Sequence, residues 1–255
     1  MADGLPPGNA GTGRGTPLNA SALVTGGFIV LPLLLAAGFV LASEWAGRRL
    51  GETAAGRRRR TVALGLATLA WLALTWAVAA SGVLRRWEAV PPPLVFLVLA
   101  VLAIGIGVPW SPLGTRLVRG LPLWVLVGSQ VFRFPLELVM HRAYLEGVMP
   151  VQMSYSGQNW DILTGIAAVG LALWLLRGGA PRWAVVAWNL GGLALLVNVV
   201  TVALMSTPAV RWFGDDRLNV FVTYPPFVWL PAVLVTAALM GHVLVWRTLS
   251  LDTSR

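Results

Sequence analysis

The sequence predicts an all-α membrane protein, a polytopic bundle of about seven transmembrane helices with the N-terminus outside and the C-terminus inside. Three observations support this prediction. Of the 255 residues, 57% are hydrophobic and only 11% are charged, whereas soluble domains carry about a quarter charged residues. Long apolar runs alternate with short polar segments along most of the chain. The arginines are concentrated in every second one of these polar segments.

The elements follow from the apolar runs. Residues 1–20 are rich in Gly, Pro, Asn and Thr, and we expect them to form a flexible tail. Residues 21–250 are expected to form a single transmembrane domain, followed by a short cytoplasmic tail over residues 251–255. A segment within lipid must satisfy its own backbone hydrogen bonds, and a helix needs roughly 20 apolar residues to cross the bilayer. Helices are therefore predicted at about 22–43, 61–84, 94–110, 119–146, 161–177, 183–205 and 227–249.

The fourth predicted helix is the longest and contains Pro135. Proline removes one backbone hydrogen bond from a helix, so a kink is expected near Val131. The third and fifth runs are the shortest, and they approach the lower limit for a span.

The arginines predict the orientation of the bundle. Twelve fall on one side: Arg48, Arg49, Arg57, Arg58, Arg59, Arg60, Arg116, Arg119, Arg177, Arg182, Arg247 and Arg255. The other side holds six, and four acidic residues oppose them: Arg14, Arg85, Arg86, Arg142, Arg211 and Arg217 against Glu88, Glu146, Asp215 and Asp216. Because positive charge is retained on the cytoplasmic side, the N-terminus is predicted outside.

Several function classes are excluded by composition. The chain has no cysteine, which removes disulfides, thiolate metal sites and cysteine nucleophiles. It has no lysine either, so a retinal or pyridoxal Schiff base is excluded. There is no phosphate-binding glycine-rich motif. The positive charge lies at the ends of apolar runs, which favours membrane topology over nucleic-acid binding.

A polar stripe interrupts the fourth apolar run. Gln130, Arg133, Glu137 and His141 are spaced three or four residues apart, so they share one face of a helix. A polar face directed at lipid is costly, so this stripe should point into the bundle or into a water-filled cavity, in its outer half. Arg133 and Glu137 are expected to pair directly as an i,i+4 ion pair.

Further polar residues are expected to converge on the outer half of the bundle: Asn159, Asp161, Asn198 and Tyr224. Each also has a structural interpretation. Asp161 is placed to cap the fifth predicted helix, and Asn198 is placed to form an interhelical hydrogen bond. For the stripe itself, a structural ion pair and a functional polar pocket remain open alternatives.

No metal site or catalytic residue is nominated. The spacing of Glu137 and His141 is compatible with metal binding, but no cluster of further ligands accompanies it. His242 is expected near the inner end of the last helix, as a satisfied interfacial residue, too far from His141 to share a metal. No serine stands with an evident histidine and acid at matching depth.

Four segments, QVFRFPLELVMHRAYLEGVMP, SGQNWDILTG, WNLGGLALLVNVV and TYPPFVWLPAVLV, together resemble a family of small, uncharacterised bacterial multi-pass membrane proteins. The similarity covers about residues 94–249. It implies a seven-helix integral protein of the bacterial cytoplasmic (inner) membrane, and it carries over no activity, substrate or cofactor. The residues in its motifs are the same polar ones: Gln130, Arg133, Glu137, His141, Asn159, Asp161 and Asn198.

Three functions are compatible with the sequence. In the first, the outer-half pocket binds or moves a small anionic or lipid-like ligand, with Arg133 holding an anionic group. In the second, the chain is an accessory or structural subunit of a larger membrane complex, with a histidine available to a pigment or haem. The third and weakest is a membrane-embedded hydrolase, so an enzyme is not the favoured interpretation. The bilayer is the expected partner, together with a small ligand or other membrane subunits, and no nucleic acid.

Overall fold

The computed structural model describes residues 19–252, and over this range the chain forms helices and turns but no strand. Residues 1–18 of the predicted tail and residues 253–255 lie outside the described part. The helices are α1 (Ala22–Arg49), α2 (Ala54–Ala80), α3 (Leu94–Trp110), α4 (Pro112–Gly120), α5 (Leu123–Gly128), α6 (Arg133–Leu145), α7 (Ile162–Leu176), α8 (Arg182–Met205), a π-helical segment (Leu230–Val235) and α9 (Thr236–Asp252).

Hydroxyl side chains define the starts of three helices. Ser21 and Thr53 accept hydrogen bonds from the backbone N–H groups three residues further on, at 3.3 and 3.2 Å, and so cap α1 and α2. Ser111 caps α4 in the same way at 3.4 Å. These caps satisfy backbone donors that have no partner within their helices.

Every apolar run of the sequence is helical, and the described chain contains five or six candidate spans. Five helical segments in the described chain are long and apolar enough to cross a membrane, and the bent pair of α3 and α4, at 58°, raises the number to six. The fifth predicted helix is α7, which has 15 residues and is shorter than an ordinary span. The chain is therefore all-helical, with five or six candidate spans.

Two helices depart from regular α geometry. At the position of the kink predicted near Val131, residues Ser129–Phe132 form a 3-10 turn between α5 and α6, just before Pro135. A second departure was not predicted. Residues Leu230–Val235 form a π-helical segment that includes Pro231 and leads directly into α9.

The last helix lies at the centre of the bundle. In the Leu230–Leu251 segment, 56% of the most apolar window is buried, against 17% for α1 and for α2. Helix α9 packs on α3, α4, α5 and α8. The side chains that face one another across this central helix therefore determine the interior of the molecule.

Candidate functional site

Arg133 lies at the centre of a buried polar cluster. It is the first residue of α6 and is 1% exposed. Its Nε donates to Asp161 Oδ2 at 2.6 Å, and Nη2 donates to Asp161 Oδ1. Nη2 also donates to the carbonyl oxygen of Gly192 at 3.2 Å, and Nη1 lies 2.6 Å from Nε2 of His242. Four of the five guanidinium N–H groups are therefore used within the protein.

The contact with Arg133 determines the protonation of His242. Arginine only donates hydrogen bonds, so His242 Nε2 must accept and carry no proton. The other ring nitrogen, Nδ1, lies 2.8 Å from Asn189 Oδ1, to which it donates. Asn189 Nδ2 donates in turn to the His242 carbonyl oxygen at 3.2 Å. His242 is thus held as a neutral imidazole between Arg133 and Asn189, with both ring nitrogens occupied.

The predicted position of His242, near the inner end of the last helix, is wrong. The prediction measured the depth of Arg133 along one continuous helix from Arg119, but Arg119 belongs to the separate helix α4. The helical segment of α5, the 3-10 turn and α6 begins at Leu123, ten residues before Arg133. His242 lies ten residues before Asp252, so both residues are about 15 Å from that end of the bundle. The two side chains therefore meet at the same level.

The predicted ion pair between Arg133 and Glu137 is also wrong. Glu137 is 1% exposed, and both of its carboxylate oxygens accept from Asn159 Nδ2, at 2.8 and 2.9 Å. Arg133 pairs instead with Asp161, which reaches it from the start of α7. Gly165 makes this possible: a Cβ atom there would lie 3.0 Å from the backbone carbon of Arg133, so only glycine allows α7 to pack this closely.

Asp161 directly precedes α7, as predicted for a cap, but its side chain caps no backbone N–H. Its carboxylate is engaged by Arg133 and, at 3.5 Å, by the hydroxyl of Thr164. The capping prediction is therefore right about the position and wrong about the contact, because Arg133 binds both carboxylate oxygens of Asp161.

The stripe does not act as one unit, because His141 lies apart from the cluster. Its ring is half-buried and stacks on Tyr155 at 4.3 Å between centroids. Its Nδ1 lies 3.0 Å from Ser154 Oγ and 3.2 Å from Ser156 Oγ. The structure thus places a histidine beside serines, which the sequence analysis did not anticipate, but no carboxylate among residues 19–252 contacts this histidine. The group holds the 154–156 turn against α6.

Three other predicted site residues also lie outside the cluster. Gln130 is fully buried against α9, where its Nε2 lies 3.4 Å from the carbonyl oxygen of Ala237. Asn198 is exposed and donates to the carbonyl oxygen of Gln158 at 2.7 Å. Tyr224 lies under the guanidinium of Arg85, at 4.3 Å. The side chains of Gln130, Asn198 and Tyr224 therefore form no hydrogen bond with the guanidinium of Arg133, and their role in a ligand site stays a prediction.

Sequence reasoning missed two members of the cluster, Asn189 and Gly192. Both belong to the segment WNLGG, where an amide and a glycine pair interrupt an apolar run. A Cβ atom at residue 192 would lie 2.6 Å from Cε1 of His242, so glycine is required beside that ring. An amide one turn before a glycine on a buried face was the available indication of a polar contact.

A cavity of about 100 Å³ adjoins the cluster. It lies between α3 and α8, with α6 and the π-helical segment behind it, and its walls are almost entirely apolar. Helices α3 and α8 are not closely packed against each other. Leu102 of α3 and Leu204 of α8 both line the cavity and are 40% and 39% exposed, so it opens sideways between these helices. Six polar residues line it: Arg133, Glu137, Asn159, Asp161, Thr207 and Asn219.

The charged residues beside the cavity differ in whether they form an ion pair. Arg133 and Asp161 neutralise each other, while Glu137 is paired with an amide and with no cation in the described chain. No group of three or more His, Asp or Glu side chains within residues 19–252 is placed to hold a metal. The site is therefore an apolar cavity bordered by one satisfied ion pair and one carboxyl group with unused acceptor positions.

Comparisons of this chain with protein families, with curated proteins and with solved structures found no match.

Proposed function

We propose that this chain is a multi-pass membrane protein that binds a lipid-like ligand in the cavity between α3 and α8. The observation that carries the proposal is the sideways opening of an apolar cavity through the exposed faces of two helices. A small apolar cavity stays dry and accepts apolar molecules, as cavities of about 150 Å³ do in soluble proteins. An acyl chain that enters from the bilayer through this opening would reach the cavity without passing through water.

The charge distribution favours a lipid-like ligand over a small anion. An anion would need free donors on Arg133, yet four of its five N–H groups are already bound by Asp161, His242 and Gly192. Arg133 is therefore a structural element of the bundle, and the apolar walls supply the binding surface.

The topology is part of the same proposal. Seven spans, with the N-terminus outside and the C-terminus inside, are supported by the arginine distribution in the sequence. This assignment requires α7 to cross the membrane despite its 15 residues. We also propose that the protein lies in the bacterial inner membrane and belongs to the family that the four segments resemble. Both points rest on that resemblance.

Photolabelling tests the binding site directly. The purified protein in neutral-lipid nanodiscs would be irradiated with a diazirine-bearing fatty alcohol, and the labelled residues would be mapped by mass spectrometry. Labels are expected on the cavity-lining segments of α3 and α8, around Val98 and Val199. Ala203→Phe, which places a ring in the cavity, is expected to reduce this labelling strongly.

The matched control is Ala194→Phe, the same change on the exposed face of α8, away from the cavity. It is expected to leave the labelling pattern unchanged. Labels spread evenly over the exposed faces of α1 and α2, with no difference between the two variants, would contradict the proposal.

A further inference from the structure

A second cleft lies at another place in the bundle, between the end of α1, the start of α2 and α4. It has a volume of about 570 Å³. Helix α4 reaches it because the chain bends by 58° after α3. Three arginines line this arginine cleft: Arg60 from α2, and Arg116 and Arg119 from α4.

Arg116 is fixed in a single position at the back of the cleft. It is 8% exposed, and it donates to Glu52 Oε1 and Oε2 at 2.7 and 3.1 Å and to Ser43 Oγ at 2.5 Å. A Cβ atom on Gly47 would overlap its guanidinium, so glycine is needed where α1 passes beside it. Three of the five N–H groups of Arg116 are used, and two remain for a ligand.

The cleft carries an excess of positive charge. Arg60 also pairs with Glu52, at 2.7 Å, and is 59% exposed. No carboxylate within residues 19–252 pairs with Arg119, which is exposed at the cleft. Three guanidinium groups against the single carboxylate of Glu52 leave two uncompensated positive charges. The hydrogen bond from Arg116 lowers the pKa of Glu52, so this carboxylate is ionised at neutral pH. The cleft therefore keeps two uncompensated positive charges.

The remaining wall of the cleft is apolar. Leu50, Leu64 and Leu113 line it beside the arginines. A cleft with guanidinium groups on one side and leucines on the other matches an amphiphilic anion better than a wholly polar one. Arginine binds phosphate oxygens through paired N–H groups, and basic pockets between transmembrane helices bind acidic headgroups.

We propose that the arginine cleft binds a phosphate group, held by Arg119 and Arg60 over the fixed guanidinium of Arg116. The phosphate belongs either to an acidic phospholipid of the adjacent leaflet or to a soluble anion. This site is separate from the cavity between α3 and α8, and it stands whether or not that cavity binds a lipid-like ligand.

The experiment measures phosphatidylglycerol binding by native mass spectrometry, with protein released from phosphatidylcholine nanodiscs that contain a defined fraction of phosphatidylglycerol. Arg119→Gln is expected to weaken binding about tenfold, since it removes a charge-assisted contact. The matched control is Arg59→Gln on α2, which loses the same charge at an exposed position outside the cleft and is expected to retain binding. Thermal melts of both variants check folding.

A second arm identifies the source of the phosphate. Inorganic phosphate would be titrated into the wild-type protein and the Arg119→Gln variant by calorimetry. Selective loss of phosphatidylglycerol in Arg119→Gln, with no phosphate binding, supports a lipid headgroup. Phosphate binding that Arg119→Gln abolishes supports a soluble anion. Equal binding of both ligands by wild type, Arg119→Gln and Arg59→Gln would overturn the proposal. The binding would then come from the general positive charge of the protein surface and not from the arginine cleft.

Discussion

Replacement of Arg133 by methionine removes a buried charge while it keeps an unbranched side chain of similar length. The variant loses four hydrogen bonds, two of them to Asp161 and one each to His242 and Gly192. Asp161, which is 5% exposed, is left with only the hydroxyl of Thr164, at 3.5 Å. An ionised carboxyl group would then be buried without a cation.

The expected loss is large. Removal of one partner of a buried ion pair costs about 3–5 kcal/mol in proteins. At about 2–4 °C per kcal/mol for a chain of this size, the melting temperature of Arg133→Met should fall by about 6–20 °C. Arg133→Met combined with Asp161→Asn removes both charges, and it should recover at least about 1 kcal/mol relative to the sum of the two single changes.

Thermal melts in one detergent, with the four members of the double-mutant cycle side by side, measure these quantities. Arg211→Met serves as the control, because Arg211 and Asp215 form an exposed pair, 58% and 75% accessible, and its loss should change stability by less than about 0.5 kcal/mol. A melting temperature for Arg133→Met within about 2 °C of wild type would refute the buried ion pair. Strict additivity of the two changes would refute their coupling.

Three further predictions concern other parts of the molecule. Glu137→Gln should melt at or above the wild-type temperature, because this buried carboxyl group forms no ion pair in the described chain and is bound only by the Asn159 amide; a loss as large as that of Arg133→Met would contradict this. Arg116 holds the pKa of Glu52 below its ordinary value of 4.5, so that ion pair stabilises the protein above pH 4.5 and the contribution disappears as the pH falls through the folded-state pKa. Wild type should therefore lose more stability than Glu52→Gln in melts taken from neutral to acidic pH, and parallel curves would refute the assignment. Cysteines placed at Ser156 and Asp215 should react with an impermeant maleimide on intact cells while one at Ala54 does not, and the opposite pattern would invert the topology.

The helices and the buried face were predictable from the sequence, because both depend on local properties. Apolar length predicted every long helix but not the short helix α4, and Pro135 predicted the interruption before α6. The expense of burying charge in an apolar run predicted that Arg133 and Glu137 face inward, and both are 1% exposed. None of these inferences needed to know which helices are neighbours.

The partners of the buried residues were not predictable in the same way, because they depend on the relative level of different helices. The prediction counted the depth of Arg133 from Arg119, whereas the helical segment begins at Leu123. Arg133 therefore lies lower than predicted, at the level of His242. The π-helical segment before α9 has no recognised sequence pattern in this chain apart from Pro231. The i,i+4 spacing predicted Glu137 as the local partner of Arg133, but Asp161, which directly precedes α7, binds the guanidinium instead.

The two interpretations of the polar stripe, structural ion pair and functional pocket, apply to different residues. Arg133 has one N–H group left and joins α6 to the start of α7, to α8 and to α9, so its contacts fix helix packing. Glu137 has one bound donor on each oxygen, and each oxygen can accept a second. A polar ligand group beside this cavity therefore meets the carboxyl group of Glu137, whereas Arg133 has almost no donor left to offer it. The ligand that we propose for the cavity is therefore an apolar chain that bears a hydroxyl or amine, whereas the ligand that we propose for the arginine cleft is an anion.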